Sequence, residues 1–248
     1  MHNKATVASI PLIWVEPERS ATTKLVIWLP GFSGTKEAME PYLTALAAAG
    51  FVALSFDPVQ HGERRIESQE QLRTRVRGNI RRYFWPILAQ TAEETSIVID
   101  WALAHLGVAE SVGMGGISMG GDIAVAATAV DPRIRVVAAA IATPDWLRPG
   151  SFEPPGEPDD VAQACYDRRN PLTHLADYRH CPAITFQCGA DDQQVPPTGA
   201  LQFIAALQST IYATQPDRLE AVLHPGVAHA FPAQSWANCV RWFQKHLT

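Results

Sequence analysis

Ser118 stands in the pentapeptide Gly116-Ile117-Ser118-Met119-Gly120. The run Val112 to Ile117 before it reads as a short buried strand. The run Met119 to Val130 after it reads as a helix, with apolar Ile123, Ala127 and Val130 at spacings of four and three. A Gly-x-Ser-x-Gly between a strand and a helix is the nucleophile-elbow pattern, a turn so tight that the Ser backbone is strained and its hydroxyl stands at the carboxyl edge of a sheet. The flanking positions are Gly because a Cβ there would clash with the neighbouring strand and helix. A Ser hydroxyl is a poor nucleophile at neutral pH, so it needs a base beside it and an acid to orient that base. Two later loops carry those residue types. Gly189-Ala190-Asp191-Asp192-Gln193-Gln194-Val195-Pro196 offers two carboxylates. Gly226-Val227-Ala228-His229-Ala230-Phe231 offers an imidazole, with His224 as a competitor five residues earlier.

These residues need a frame that brings three loops to one edge. Ala5 to Val15 reads as an N-terminal strand or hairpin arm, with Pro11 suggesting a sheet edge. Residues 16–23 read as a turn. Lys24 to Leu29 reads as a strand covered on both faces, since Leu25, Val26, Ile27 and Trp28 run together without polar interruption, and Phe51 to Phe56 reads as the next buried strand. Between them a helix is predicted from about Thr35, buried through Met39, Tyr42, Leu43 and Leu46 and stopped by Gly50. Another helix is predicted from just after Pro86 to about Leu106. Strands are predicted at Ile134 to Ala142, Ala183 to Cys188 and Leu219 to Leu223. Helices are predicted at Pro197 to about Ala213 and around Trp236, Val240, Phe243 and Leu247. Strands alternating with helices at this spacing mean a mostly parallel sheet with helices on both faces. The elements interleave throughout, so residues 1–248 read as one domain. Residues 144–181, rich in Pro, read as a small lid-like insertion. In parallel sheets the usable loops lie at the carboxyl ends of the strands, and both candidate loops follow strands.

The three stretches together resemble an α/β-hydrolase, in the broad dienelactone-hydrolase and prolyl-oligopeptidase-like esterase group. The likeness runs from about Leu25 to the C-terminus. The group's Gly-x-x-Asp-x-x-Val-Pro implies that the acid is Asp192, leaving Asp191 as a turn residue. Its Gly-x-x-His-x-Phe implies that the base is His229, leaving His224 structural. The order Ser118, Asp192, His229 is the one this fold uses. The resemblance also implies an oxyanion hole made by the backbone N–H groups of Phe32 and Met119. Relatives usually carry His-Gly where this chain has Pro30-Gly31, so no His side chain assists at position 30. His61, in Gln60-His61-Gly62-Glu63-Arg64, is similar to a stretch that is structural or lid-related in some of these esterases.

The expected activity is that of a serine hydrolase cleaving a carboxylic ester of small to medium acyl group through an acyl-enzyme. A thioesterase, peptidase or lactone hydrolase would use the same triad, and a non-catalytic ligand-binding protein could keep the fold. Substrate choice is expected to lie with Phe32, Met119, Trp146 and the segments 59–85 and 144–180. The first segment is rich in Arg. A charge run is ordinarily a solvated face, here paired with Glu63, Glu67 and Glu70. The alternative is that Arg64 or Arg65 reaches the site mouth and holds an anionic group. Neither metal nor organic cofactor is implied. A hydrophobic content of 47% supplies a sizeable core, and a formal charge of −5 argues against a general role on nucleic acid or a membrane surface. The longest apolar run is too short to span a bilayer. The N-terminal residues show no cleavable hydrophobic leader. Cys165, Cys181, Cys188 and Cys239 fit no zinc spacing and are read as reduced thiols of a cytoplasmic protein.

Overall fold

A computed structural model describes residues 3–18 and 24–247. The turn expected at 16–23 lies partly outside the described residues, as do Met1 and His2. Among the described residues eight strands form one sheet: β1 (Asn3–Val7), β2 (Ile10–Val15), β3 (Leu25–Leu29), β4 (Val52–Phe56), β5 (Val112–Ile117), β6 (Ile134–Ala140), β7 (Ala183–Gly189) and β8 (Leu219–His224). Their order is β1-β2-β4-β3-β5-β6-β7-β8. The two N-terminal strands run antiparallel, and all pairings from β4 through β8 are parallel. Seven α-helices accompany them among the described residues: α1 (Glu40–Ala48), α2 (Gln69–Gly78), α3 (Ile80–His105), α4 (Met119–Val130), α5 (Asp160–Arg169), α6 (Thr198–Gln208) and α7 (Ala233–His246). This is the α/β-hydrolase fold.

The apolar runs are explained by burial on both faces. Along β3, Leu25, Ile27 and Leu29 share a core cluster with residues of α3 and α4. Val26 and Trp28 pack toward α1 and α7. Successive side chains of a strand point to opposite faces, so the apolar residues of β3 serve both layers.

Two expectations need correction. Pro11 lies in β2, which is covered by β1 on one side and β4 on the other, so the edge belongs to β1. Its carbonyl accepts the Asp57 N–H at 3.0 Å. The long helix begins at Ile80, not after Pro86. Asn79 caps it, its side chain accepting the Arg82 N–H at 3.0 Å. An interior Pro costs a helix about 3 kcal/mol. Phe84, Trp85, Ile87 and Leu88 are all buried around it, each contributing roughly 1.5–3 kcal/mol. Packing therefore carries the helix through a residue that local propensity reads as a start.

Candidate active site

Parallel strands bring their carboxyl ends to one edge, and β3, β5, β7 and β8 each deliver a functional loop there. Ser118 follows β5 directly, with φ 52° and ψ −114°. That backbone is sparsely populated for any residue with a side chain, and such strain is of order 1–3 kcal/mol. Gly120 makes the turn possible. A Cβ on it would lie 2.5 Å from the Leu29 carbonyl oxygen and 2.8 Å from that of Pro30. The same close approach lays the loop after β3 against Ser118: a Cβ on Gly31 would touch the Ser118 Cβ at 3.9 Å.

The loops after β7 and β8 are laced together. Ala190 N–H donates to the His224 carbonyl (3.0 Å), and Asp191 N–H to that of Val227 (2.9 Å). At Gly189 a Cβ would collide with the Ala228 carbonyl, so only Gly lets the two loops meet. The second loop is anchored from beyond: Phe231 stacks on buried Trp28 with ring centroids 6.0 Å apart, and Trp236 meets the same ring edge-on at 5.0 Å. His229 sits between these fixed points.

The outcome is a continuous relay. His229 Nε2 lies 3.1 Å from Ser118 Oγ, and His229 Nδ1 lies 2.7 Å from Asp192 Oδ2. The other Asp192 oxygen accepts the N–H groups of Gln194 (2.9 Å) and Val195 (2.8 Å). Burial alone would raise the Asp192 carboxyl. The hydrogen bonds from His229, Val195 and Gln194 outweigh it and hold the group below its usual range. A carboxylate only accepts, so it draws the Nδ1 proton of His229 and leaves Nε2 free to take a proton from Ser118. Asp191 is exposed and reaches the neighbouring loop through its backbone alone. His224 points its Nε2 to Gln187 Oε1 at 3.0 Å, away from the relay.

Phe32 lines a groove with Ser118, together with Val76, Ile80, Phe84 and Arg148. Its loop turns at Ser33 (φ 62°) and closes with Gly34 N–H donating to the Gly31 carbonyl at 2.9 Å. Helix α2 pins that turn: Gln69 Nε2 donates to the Ser33 carbonyl (2.9 Å) and Arg73 Nε to Ser33 Oγ (2.8 Å). His61 supports Phe32 from behind, ring against ring at 5.6 Å. Its Nδ1 lies 2.8 Å from the Val59 carbonyl, and burial pushes the imidazole below its usual range. Met119 is the first residue of α4, immediately after Ser118.

The substrate-binding expectations are redistributed. Arg64 is held bidentate by Glu94 at 2.6 and 2.8 Å, well occupied within the fold. Arg65 lines a separate cavity with His61 and Gln69. Of the three glutamates expected as partners, Glu67 takes Arg75, while Glu63 pairs with buried Lys36. Trp146 is 2% exposed and lines a pocket adjoining the groove at Ser118, sharing Ile80, Arg148 and Glu153 with it.

Sequence reasoning missed one part of the site, the polar wall of the groove. Arg148 Nη2 donates to Asp122 Oδ2 at 2.7 Å, and Nη1 to Glu153 Oε2 at 3.3 Å. Gln194 Nε2 donates to Glu153 Oε1 at 3.1 Å. The segment carrying Arg148 is strapped to the acid loop by Ser151 Oγ–H to the Gln194 carbonyl (2.8 Å) and Phe152 N–H to that of Gln193 (3.0 Å). The signal was Asp122, a charged residue inside an otherwise apolar helix. It is fully buried, and its other oxygen accepts the Thr143 N–H at 2.7 Å. Removing one partner of a buried ion pair strands the other. Arg148→Met is therefore expected to destabilise the fold by about 3 kcal/mol, read by urea unfolding. A loss under about 0.5 kcal/mol would mean that the pair carries little of the fold.

Among the described residues no group of three or more His, Cys, Asp or Glu side chains is placed to hold a metal, and no helix is long and apolar enough to cross a membrane. A sequence model of the prolyl oligopeptidase family matches residues 90–248. The esterase YjfP of Escherichia coli (strain K12) is 27% identical over 260 residues, covering 97% of each chain. The YitV protein of Bacillus subtilis (strain 168) is 25% identical over 256 residues, covering 98% of this chain and 97% of its own. Among solved structures, TT1662 of Thermus thermophilus superposes with a TM-score of 0.77 at 23% identity, covering 99% of this chain and 97% of that one.

Proposed function

Because the chain belongs to the prolyl oligopeptidase family, we propose that its relay of Ser118, His229 and Asp192 hydrolyses a carboxylic ester. The observation that carries this is the unbroken line of two hydrogen bonds from Asp192 through His229 to Ser118. The end-to-end likeness to a protein named an esterase supports ester over peptide as the substrate.

In the proposed reaction Ser118 Oγ attacks the acyl carbon as its proton passes to His229 Nε2. The imidazolium is held by Asp192. The carbonyl electrons move onto oxygen, and that oxyanion is met by the N–H groups of Phe32 and Met119. Collapse expels the alcohol, which takes the proton from His229. Water then attacks the acyl-enzyme by the same route and frees the acid. The groove beside Ser118 is bounded by Phe32, Val76, Ile80 and Phe84 on its apolar side, which suits a small to medium acyl group. The whole chain acts as one domain, with 144–181 as a lid over the groove. The four free thiols, with Cys188 pushed up to about 12 by burial, support a cytoplasmic setting.

Labelling with a fluorophosphonate tests the reading. One equivalent is expected to attach at Ser118, with loss of turnover on 4-nitrophenyl esters of two to eight carbons. A protein that neither labels nor cleaves would be a binding protein. Faster turnover of aminoacyl arylamides than of esters would make it a peptidase.

A further inference from the structure

Apart from Arg65, which lines the separate cavity beside His61, the arginines of the 59–85 segment divide into two groups. Arg64 is paired with Glu94, Arg75 with Glu67 and Arg82 with Asp159, and Arg73 is bound to Ser33. Arg77 and Arg81 have no carboxylate partner among the described residues, and both face the cleft. Arg77, in the last turn of α2, lines the groove at Ser118. Arg81, in the first turn of α3, lines the adjoining pocket of about 210 Å³.

That pocket holds two further anomalies. The Nε of Arg81 and the indole Nε1 of Trp146 are two of the eight buried side-chain N and O atoms that lack a partner among the described residues. Buried donors without partners are rare and disfavoured, and here two belong to side chains that line one pocket. The charges facing the joined cleft are Arg77, Arg81, Arg148 and Glu153. Arg148 is already satisfied by Asp122 and Glu153, and Asp122 lies behind the wall. Arg77 and Arg81 are left without a carboxylate partner, beside two buried side-chain donors that lack an acceptor.

We propose that this recess binds a carboxylate of the substrate, so that the esters turned over best carry a free carboxylate a few bonds from the scissile carbonyl. The inference rests on the ester-hydrolase reading and names its substrate class. A guanidinium suits a carboxylate because its N–H groups form a fork that matches two oxygens. Charge attraction from Arg77 and Arg81 acts through the open cleft. The two orphan donors are closed to solvent and mark the wall of the recess as short of acceptors.

The test compares two matched pairs in the full-length protein. With the charge on the acyl side, 4-nitrophenyl hydrogen adipate is set against 4-nitrophenyl hexanoate. With the charge on the alcohol side, 4-acetoxybutanoate is set against butyl acetate. In at least one pair the charged ester is expected to have tenfold or greater kcat/KM, an advantage that shrinks in 0.5 M salt. The ratio is expected to fall toward one in the Arg77→Gln/Arg81→Gln double variant. Arg81→Lys should keep most of it, and Arg82→Gln, whose partner lies outside the cleft, all of it. A ratio at or below one in both pairs overturns the proposal, as does a ratio that the double variant leaves unmoved. Failure of the ester-hydrolase reading looks different: neither member of any pair turns over. Calorimetric binding of monomethyl adipate, present in the parent and lost in the double variant, then decides the carboxylate site by itself.

Discussion

Ser118→Ala leaves a folded protein whose ester hydrolysis falls by about 10⁴-fold or more. The magnitude follows from the relay: with Oγ gone, nothing remains at 3.1 Å for His229 Nε2 to deprotonate. The fold survives because alanine keeps the Cβ, so the unusual backbone at φ 52° is neither relieved nor worsened. Loss of kcat on the best 4-nitrophenyl ester, beside an unchanged circular dichroism spectrum and melting temperature, is the measurement. More than a few per cent residual activity would remove Ser118 from the chemistry.

Asp192→Asn is expected to approach the same loss, while Asp191→Asn costs less than about tenfold, or ~1.4 kcal/mol of barrier. The geometry says why an isosteric change is so damaging. One oxygen of residue 192 is committed to the N–H groups of Gln194 and Val195. An asparagine keeps its single oxygen there and turns its NH₂ toward His229 Nδ1. That nitrogen must then accept, so the imidazole proton moves to Nε2, where Ser118 needs a lone pair. The same exchange in serine proteases lowers kcat about 10⁴-fold. Comparing kcat/KM for the two single variants is decisive, and the reverse ranking would move the acid to Asp191. A second readout follows from the depressed carboxyl of Asp192. A group held low in the folded state stabilises it above the unfolded value near pH 4, and that contribution is lost as pH falls through the depressed value. Asp192→Asn should therefore flatten the acid limb of the stability curve, and an unaltered limb would mean the carboxyl is not held low.

The parts of this molecule that could be read from sequence are those in which one residue type answers one local demand. Gly120 and Gly189 are fixed by backbones passing too close for a Cβ, and β3 by burial on both faces. Ser118, Asp192 and His229 each follow a strand of a parallel sheet, so their meeting is a matter of topology. What stayed hidden depends on choices among chemically equivalent partners. Nothing local tells Arg64 from Arg77: the first faces Glu94, thirty residues on, and the second faces the groove. Pro86 misleads for the opposite reason, since a strong local preference is overruled by the burial of its neighbours. Arg148 and Glu153 sit in a loop-rich stretch with no periodicity, and only the folded chain brings them to Asp122 and Gln194.

Those last contacts form a ring. Ser118 holds Asp122 through the Asp122 N–H at 3.0 Å, Asp122 holds Arg148, Arg148 holds Glu153, Glu153 holds Gln194, and Gln194 holds Asp192, which holds His229 against Ser118. The wall of the groove and the line from Asp192 to Ser118 thus share one hydrogen-bonded circuit. An ester that crowds Arg148 or Gln194 is expected to disturb the His229–Ser118 contact as well, so that poor fit shows as a lower kcat more than as a higher KM across an ester series.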